Sequence, residues 1–336
     1  MKRLVILLLA CLGLAGAGYG GYWLWAARQI EGQAEALIAG RASTGWISEA
    51  DAVETGGFPS SFETRLTAPR FGQTEGPIIW ESDWITVAQE SLDPQDFTVT
   101  FAPEQRLTLP EGSGRLTTQN AAGRLRVDSR QTLDVLELAT ESGALTLPDM
   151  GEAALGPGRV LVTKTEGPNS YALTLSLADL LLPPELLGQA GRDGVITNLI
   201  DSFTANATAQ FTGPWDEAAL AGVQPTLVSL TIEEAALNAD GGSIAVAGTL
   251  VPDAEGYAEG ALDLSATDIE NALKRAQKNG AFQGLQGSIA LSFIRAMIGE
   301  DGSVSQTLRL EDGVIRLGPI PLGRAPLLIA RDGTPL

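Results

Sequence analysis

The chain has 336 residues, 22 Lys and Arg against 41 Asp and Glu, and no histidine, giving a net charge of −19. Without histidine there is no Ser-His-Asp or Cys-His nucleophile pair and no imidazole metal ligand, and the acidic balance argues against nucleic acid, whose phosphates are bound through clustered Lys and Arg. The single cysteine, Cys11, excludes an internal disulfide and a Cys-rich cluster, so neither a metal nor a cofactor is expected.

After Lys2 and Arg3, the stretch from Leu4 to Ala27 carries no charge. As a helix it spans about 36 Å at roughly 1.5 Å per residue, more than the roughly 30 Å hydrocarbon core of a bilayer. Tyr19, Tyr22, Trp23 and Trp25 cluster at its far end, where amphipathic rings prefer the interface. Residues 1–27 therefore read as a transmembrane anchor or signal segment. The expectation is an inner-membrane, single-pass protein, attached through residues 4–27, with its bulk in the periplasm. The alternative is cleavage after Ala15-Gly16-Ala17 and release into the periplasm. Lipid attachment at Cys11 would leave a signal core of about seven residues, the bottom of the usual range. Without residues 1–27 the balance is 20 basic against 41 acidic side chains, or −21, which repels anionic headgroups.

Residues 28–40 continue as a juxtamembrane helix. Residues 41–178 form a first β-rich half, in which short alternating runs recur about every ten residues between Gly, Pro, Asp and Asn, the pattern of antiparallel strands with one buried face. Thr98 to Phe101, Arg106 to Leu109, Leu133 to Leu138, Arg159 to Thr165 and Tyr171 to Leu177 are examples. A soft boundary falls near Ala178, and residues 179–336 form a second β-rich half with short helices, expected over Leu180 to Leu187 and Val195 to Phe203. Strands resume over Val228 to Ile232, Ser243 to Leu250 and Gly260 to Leu264. A helix capped at Thr267, with Glu270 three residues on, stops at Gly280. Ser288 to Ile298 is ambiguous, and a hairpin, Gln306 to Leu310 with Val314 to Leu317, closes the chain. The expected fold is mainly β, with elongated, curved antiparallel sheets and a few short helices after an N-terminal transmembrane helix.

Three strings in order, Gly56-Gly57-Phe58-Pro59, Leu107-Thr108-Leu109-Pro110 and Gly318-Pro319-Ile320-Pro321-Leu322-Gly323, resemble the alphaproteobacterial family called domain of unknown function 2125. The likeness covers essentially the whole chain and implies an anchored, exported layout. Ser60-Ser61 departs from the more apolar or basic pair expected after Pro59. Residues 248–264, with Gly248-Thr249-Leu250, Asp253, Gly256, Gly260 and Leu262-Asp263-Leu264, also look like a unit of AsmA-like envelope proteins. That likeness implies a curved sheet with an apolar inner face used for lipid handling. Neither family brings catalytic residues with it.

The best local pair of carboxylates is in Trp80-Glu81-Ser82-Asp83-Trp84. Along a strand the tryptophans share one face and the acids the other, so aromatics packed inside and acids in water account for it. The acidic turns at Asn238 with Asp240, Glu300-Asp301 and Glu311-Asp312 lack the length of a calcium loop. The remaining candidate is the apolar face of the strands, with Leu133, Val135, Leu173, Leu175, Leu177, Ile244 and Val246 as ligand-binding residues if it is an open groove, and as ordinary core if it is not. The function expected is a non-catalytic, membrane-anchored envelope protein that binds lipid or an envelope partner along this face. The alternatives are a periplasmic hydrolase built on carboxylates and a purely structural tether.

Overall fold

The computed structural model describes residues 2–42, 45–74, 78–110, 112–147, 151–185, 187, 197–220, 224–268, 270–280, 292, 295, 298–299 and 302–329, without the side chains of 2–17, 220, 271, 272 and 275. Helix α1 (Lys2–Ala42) opens the chain, and residues 28–40, expected to be helical, belong to it. Among the described residues no helix is long and apolar enough to cross a membrane. Most of the uncharged segment, residues 4–17, lies outside the described side chains.

The chain divides into two compact units, residues 1–125 and 126–336. The soft boundary near Ala178 falls instead inside a strand of the second unit.

The strands of the first unit are β1 (Trp46–Glu49), β2 (Ala52–Gly56), β3 (Ser61–Thr67), β4 (Arg70–Gln73), β5 (Ile79–Ser82), β6 (Trp84–Glu90), β7 (Asp93–Phe101), β8 (Glu104–Leu109), β9 (Gly112–Gln119) and β10 (Ala122–Val127). They are five long strands, each bent once. The leading and trailing parts form two antiparallel ladders, β1-β4-β5-β8-β9 and β2-β3-β6-β7-β10. The sequence sets the bends. Pro69 and Pro103 cannot donate to a ladder, and Ala68 and Asn120 sit at φ +47° and +52°, where a strand cannot continue. Main-chain bonds tie neighbouring bends together, Ala68 N–H to Asp83 C=O at 2.9 Å and Ala102 N–H to Trp84 C=O at 3.1 Å among them.

The second unit is a meander in chain order. Its elements are β11 (Leu133–Thr140), β12 (Ser142–Leu147), β13 (Gly151–Leu155), β14 (Gly158–Lys164), β15 (Ser170–Leu181), β16 (Leu199–Phe211), the single-turn α2 (Glu217–Leu220), β17 (Leu227–Ala239), β18 (Gly242–Pro252), β19 (Ala258–Thr267), α3 (Glu270–Lys278), β20 (Val304–Glu311), β21 (Val314–Leu317) and β22 (Ile320–Arg324). The pairings β11-β14 and β14 through β22 in succession are antiparallel, and β12 pairs with β13. The mainly β, antiparallel expectation therefore holds.

The two short helices expected around residue 190 do not form where the chain is described. Leu180 and Leu181 finish β15, and Leu199 to Phe203 begin β16, with Leu180 opposite Ile200 and Leu177 opposite Phe203. Leu199, Ile200 and Phe203 fall at helical spacing, and pairing with β15 overrides it. The helix after residue 267 does form as α3, but Thr267 still pairs with Ser243, so the strand runs through the expected cap. Most of Ser288 to Ile298 lies outside the described residues. The core of this unit centres on Leu250, Ala258, Leu310 and Ala325, with Ile232, Tyr257, Leu262 and Ile315 against it.

Candidate functional site

Cross-strand register assembles the apolar side chains of the second unit into continuous rows. One row runs Leu136, Val162, Leu173, Ala207, Ile232, Gly248, Leu262, Leu308; the next runs Leu138, Val160, Leu175, Ala205, Ala235, Val246, Leu264. A third joins Leu177, Phe203, Leu237, Ile244, Ala266 and Val304. A bulge in β17 between Ile232 and Ala235 keeps both residues on this face. It leaves Glu233 and Glu234 exposed, and Thr208 donates to Glu233 at 2.7 Å. The reverse face is polar: Thr231 and Thr249 meet hydroxyl to hydroxyl at 3.2 Å, and Thr307 donates to Asp263 at 2.8 Å.

Five of the seven residues expected at a groove, Leu173, Leu175, Leu177, Ile244 and Val246, thus share one face. Leu133 and Val135 do not: Val135 lies opposite Thr163, on the polar side. Leu136 and Leu138 take their place. Along Leu133-Asp134-Val135-Leu136-Glu137-Leu138 either phase combines apolar residues with one acid, so the sequence does not fix which face turns inward; register against Val162 and Leu173 does. The face is unevenly covered. Tyr171 and Leu310 are buried at one end, Leu173, Leu175 and Val246 are half-buried, and Leu138 and Ile244 are 44% and 47% exposed.

The first unit holds a different site. Where its strands bend, Glu49, Arg70, Glu81, Arg106 and Arg115 stand in one cross-strand row over five strands, along an open polar cleft of about 530 Å3 that Asp51, Asp83 and Glu104 also line. Arg70 reaches Glu81 at 3.0 Å and Glu49 at 3.7 Å, and Arg106 lies 4.0 Å from Glu81. Glu81 therefore lies between two guanidinium groups rather than in open water. Trp80 packs as expected, stacked on Phe71 with its indole N–H donating to Gln105 at 2.7 Å. The bend at Asp83 sends Trp84 into the other ladder, under the Arg65 guanidinium. Among the described residues no three acidic or thiol side chains group to hold a metal.

The third feature is where α1 meets the β-strands of the first unit, a contact made by residues of the expected anchor or signal segment, Tyr19, Trp23 and Ala27. Trp23 and Ala27 pack against Phe62, with Trp23 stacked on the Phe62 ring at 5.3 Å and 5% exposed. The Trp23 indole N–H donates to Ser61 C=O at 3.1 Å, and the Tyr19 hydroxyl to Pro59 C=O at 2.6 Å. Ser61 also donates through its hydroxyl to Gly57 C=O at 3.1 Å, which gives the departing Ser60-Ser61 pair a structural use.

A family model described as an uncharacterized protein conserved in bacteria, DUF2125, matches residues 23–326; the chain belongs to that family. The match carries no AsmA-like assignment for residues 248–264. No curated protein and no solved structure matches the chain.

Proposed function

We propose that this DUF2125 member is a non-catalytic, single-pass envelope protein, held at the inner membrane by residues 4–27 with its bulk in the periplasm, and that the apolar face of its second unit takes an acyl chain. The observation that carries the reading is the continuity of the face. Rows of apolar residues, chiefly Leu, Val, Ile and Ala, run without a charged residue from β11 to β19, yet Leu138 and Ile244 remain more than two-fifths exposed. An exposed apolar surface of this extent usually meets a ligand or partner, and a saturated chain asks nothing of it but contact area.

The polar cleft favours the hydrolase alternative less. The acid of a glycosidase is a carboxyl kept protonated in apolar surroundings, whereas Glu81 is flanked by Arg70 and Arg106.

The test is a titration of the full-length protein with a fluorescent fatty acid. Ile244→Glu, at a position exposed enough for the fold to accept a charge, weakens binding at least tenfold, as losing about 1.5–3 kcal/mol of side-chain burial requires. Thr174→Glu, on the reverse face, leaves it unchanged. Equal effects from both substitutions contradict the reading.

A further inference from the structure

The first unit carries an apolar surface of its own, at the end where α1 meets the β2–β3 turn. Toward its C-terminus the helix lies along the unit: Glu31 accepts from Thr55 N–H at 3.2 Å and the Arg41 guanidinium sits over the Trp46 ring. Toward its N-terminus it reaches the β2–β3 turn at Tyr19, whose ring lies 6.2 Å from Phe58. The neighbouring β6–β7 turn joins the same end, since Ser91 N–H donates to Ser60 C=O at 3.0 Å. Here the large apolar residues face outward: Leu92 is 94% exposed, Trp25 60%, Tyr22 56% and Phe58 56%. Tyr19, Tyr22 and Trp25 run in succession with ring centroids 6.5 and 6.2 Å apart.

Helix length decides what covers this surface. From Leu4 to Gly18 the uncharged run is 15 residues, about 22 Å at roughly 1.5 Å per residue. A bilayer core of roughly 30 Å takes about 20 residues, which brings the crossing to Trp23. Trp23 is stacked on Phe62 and bonded to Ser61, and the helix is continuous from Lys2 to Ala42. The helix therefore cannot fill the core without carrying the β2–β3 turn to the membrane surface with it.

We propose that the β2–β3 and β6–β7 turns, with the Tyr22–Trp25 stretch of α1, form a collar seated in the headgroup region of the bilayer. This rests on the membrane reading above and adds that the first unit is itself a membrane-contacting body. Aromatic rings with one polar edge suit that layer. Leu92 lies between Ser91 and Asp93, with Glu90 adjacent, so the contact is made by apolar burial and not by attraction to anionic lipid.

The test places a nitroxide at Leu92→Cys in a Cys11→Ala background of the full-length protein, reconstituted in phosphatidylcholine vesicles. A label at Gln73→Cys, an exposed position at the opposite end of the bent strands, is the reference, and Trp25→Cys gives a second reading of the collar. The collar predicts that labels at 92 and 25 collide more often with oxygen than with a water-soluble nickel complex, and that the label at 73 shows the reverse. Both reagents reaching 92 as they reach 73, in protein that stays with the vesicles, overturns the collar and leaves the anchor standing. Protein that leaves the vesicles overturns the anchor and the collar with it. Exclusion of both reagents, with spin–spin broadening between molecules, means that a second copy covers the patch, and also overturns the proposal.

Discussion

Gly248 shows how one residue shapes the apolar face. Its φ is +151°, and a Cβ there would lie 2.2 Å from the Ala261 carbonyl oxygen. Gly260, at φ +145°, meets Thr249 C=O at the same distance. Both belong to the string resembling AsmA-like proteins, as does Gly256, whose Cβ would lie 2.4 Å from Ile329 C=O. In this chain close backbone approach within and beside one hairpin accounts for all three glycines. Gly248→Ala should cost about 3 kcal/mol, from strain and displaced backbone, while Gly241→Ala, with open space around it, should cost about 1 kcal/mol. Urea unfolding followed by circular dichroism compares them.

Among the described residues, Asp128 is one whose titration the fold shifts clearly. Its carboxylate accepts from the Thr132 hydroxyl at 2.6 Å, the Lys164 ammonium at 2.9 Å, and the Thr132 and Arg130 main-chain N–H groups. The Thr132 hydroxyl first, then Lys164, hold it well below the usual carboxylate range. A carboxyl depressed by folding contributes its stability in full above the ordinary aspartate value near pH 4 and loses it as pH falls toward the lowered one. Asp128→Asn should therefore cost about 1 kcal/mol at pH 7. The difference from wild type should shrink steadily below about pH 4, as denaturant midpoints measured across that range would show.

At the scale of elements, the docking of α1 is the contact most open to test. Trp23→Ala removes the Phe62 stack and the bond to Ser61, and should destabilise the first unit by about 3 kcal/mol. Tyr22→Ala, on the exposed side of the helix, should change it by less than about 0.5 kcal/mol. A helix that did not rest on the unit would give equal, small effects in the same unfolding measurement.

Which elements were legible in the sequence follows from what each one pairs with. Leu173-Thr174-Leu175-Ser176-Leu177 could be read as a strand because its alternation is strict and its polar partners face water. Leu199 to Phe203 reads as helix, because β16 takes its phase from Leu177 and Leu180 of the neighbouring strand and not from its own residues. Likewise the pattern around Leu133 and Val135 fits both phases equally and does not say which face they take. The bends of the first unit rest on single residues, Asn120 and Asp83 among them, whose ordinary role as turn residues concealed that they divide long strands. The charge row of Glu49, Arg70, Glu81, Arg106 and Arg115 draws on five strands, and no local window contains it.

Over the whole molecule, the two units carry different chemistry. The first holds its charges in a cross-strand row at its bends and presents apolar rings beside α1. The second sorts most of its side chains by face, hydroxyls and acids to one side, rows of Leu, Val, Ile and Ala to the other. A net charge of −19 keeps the acidic surface of both units in water.

The most direct measurement of acyl-chain binding is photocrosslinking of the full-length protein in vesicles with a diazirine fatty acid, followed by mass-spectrometric mapping of the adducts. Acyl binding on the sheet predicts adducts at Leu138, Ile244 and Val246 and none on the reverse face at Thr174 or Thr231. Adducts confined to α1, or spread evenly over both faces of the second unit, would contradict it.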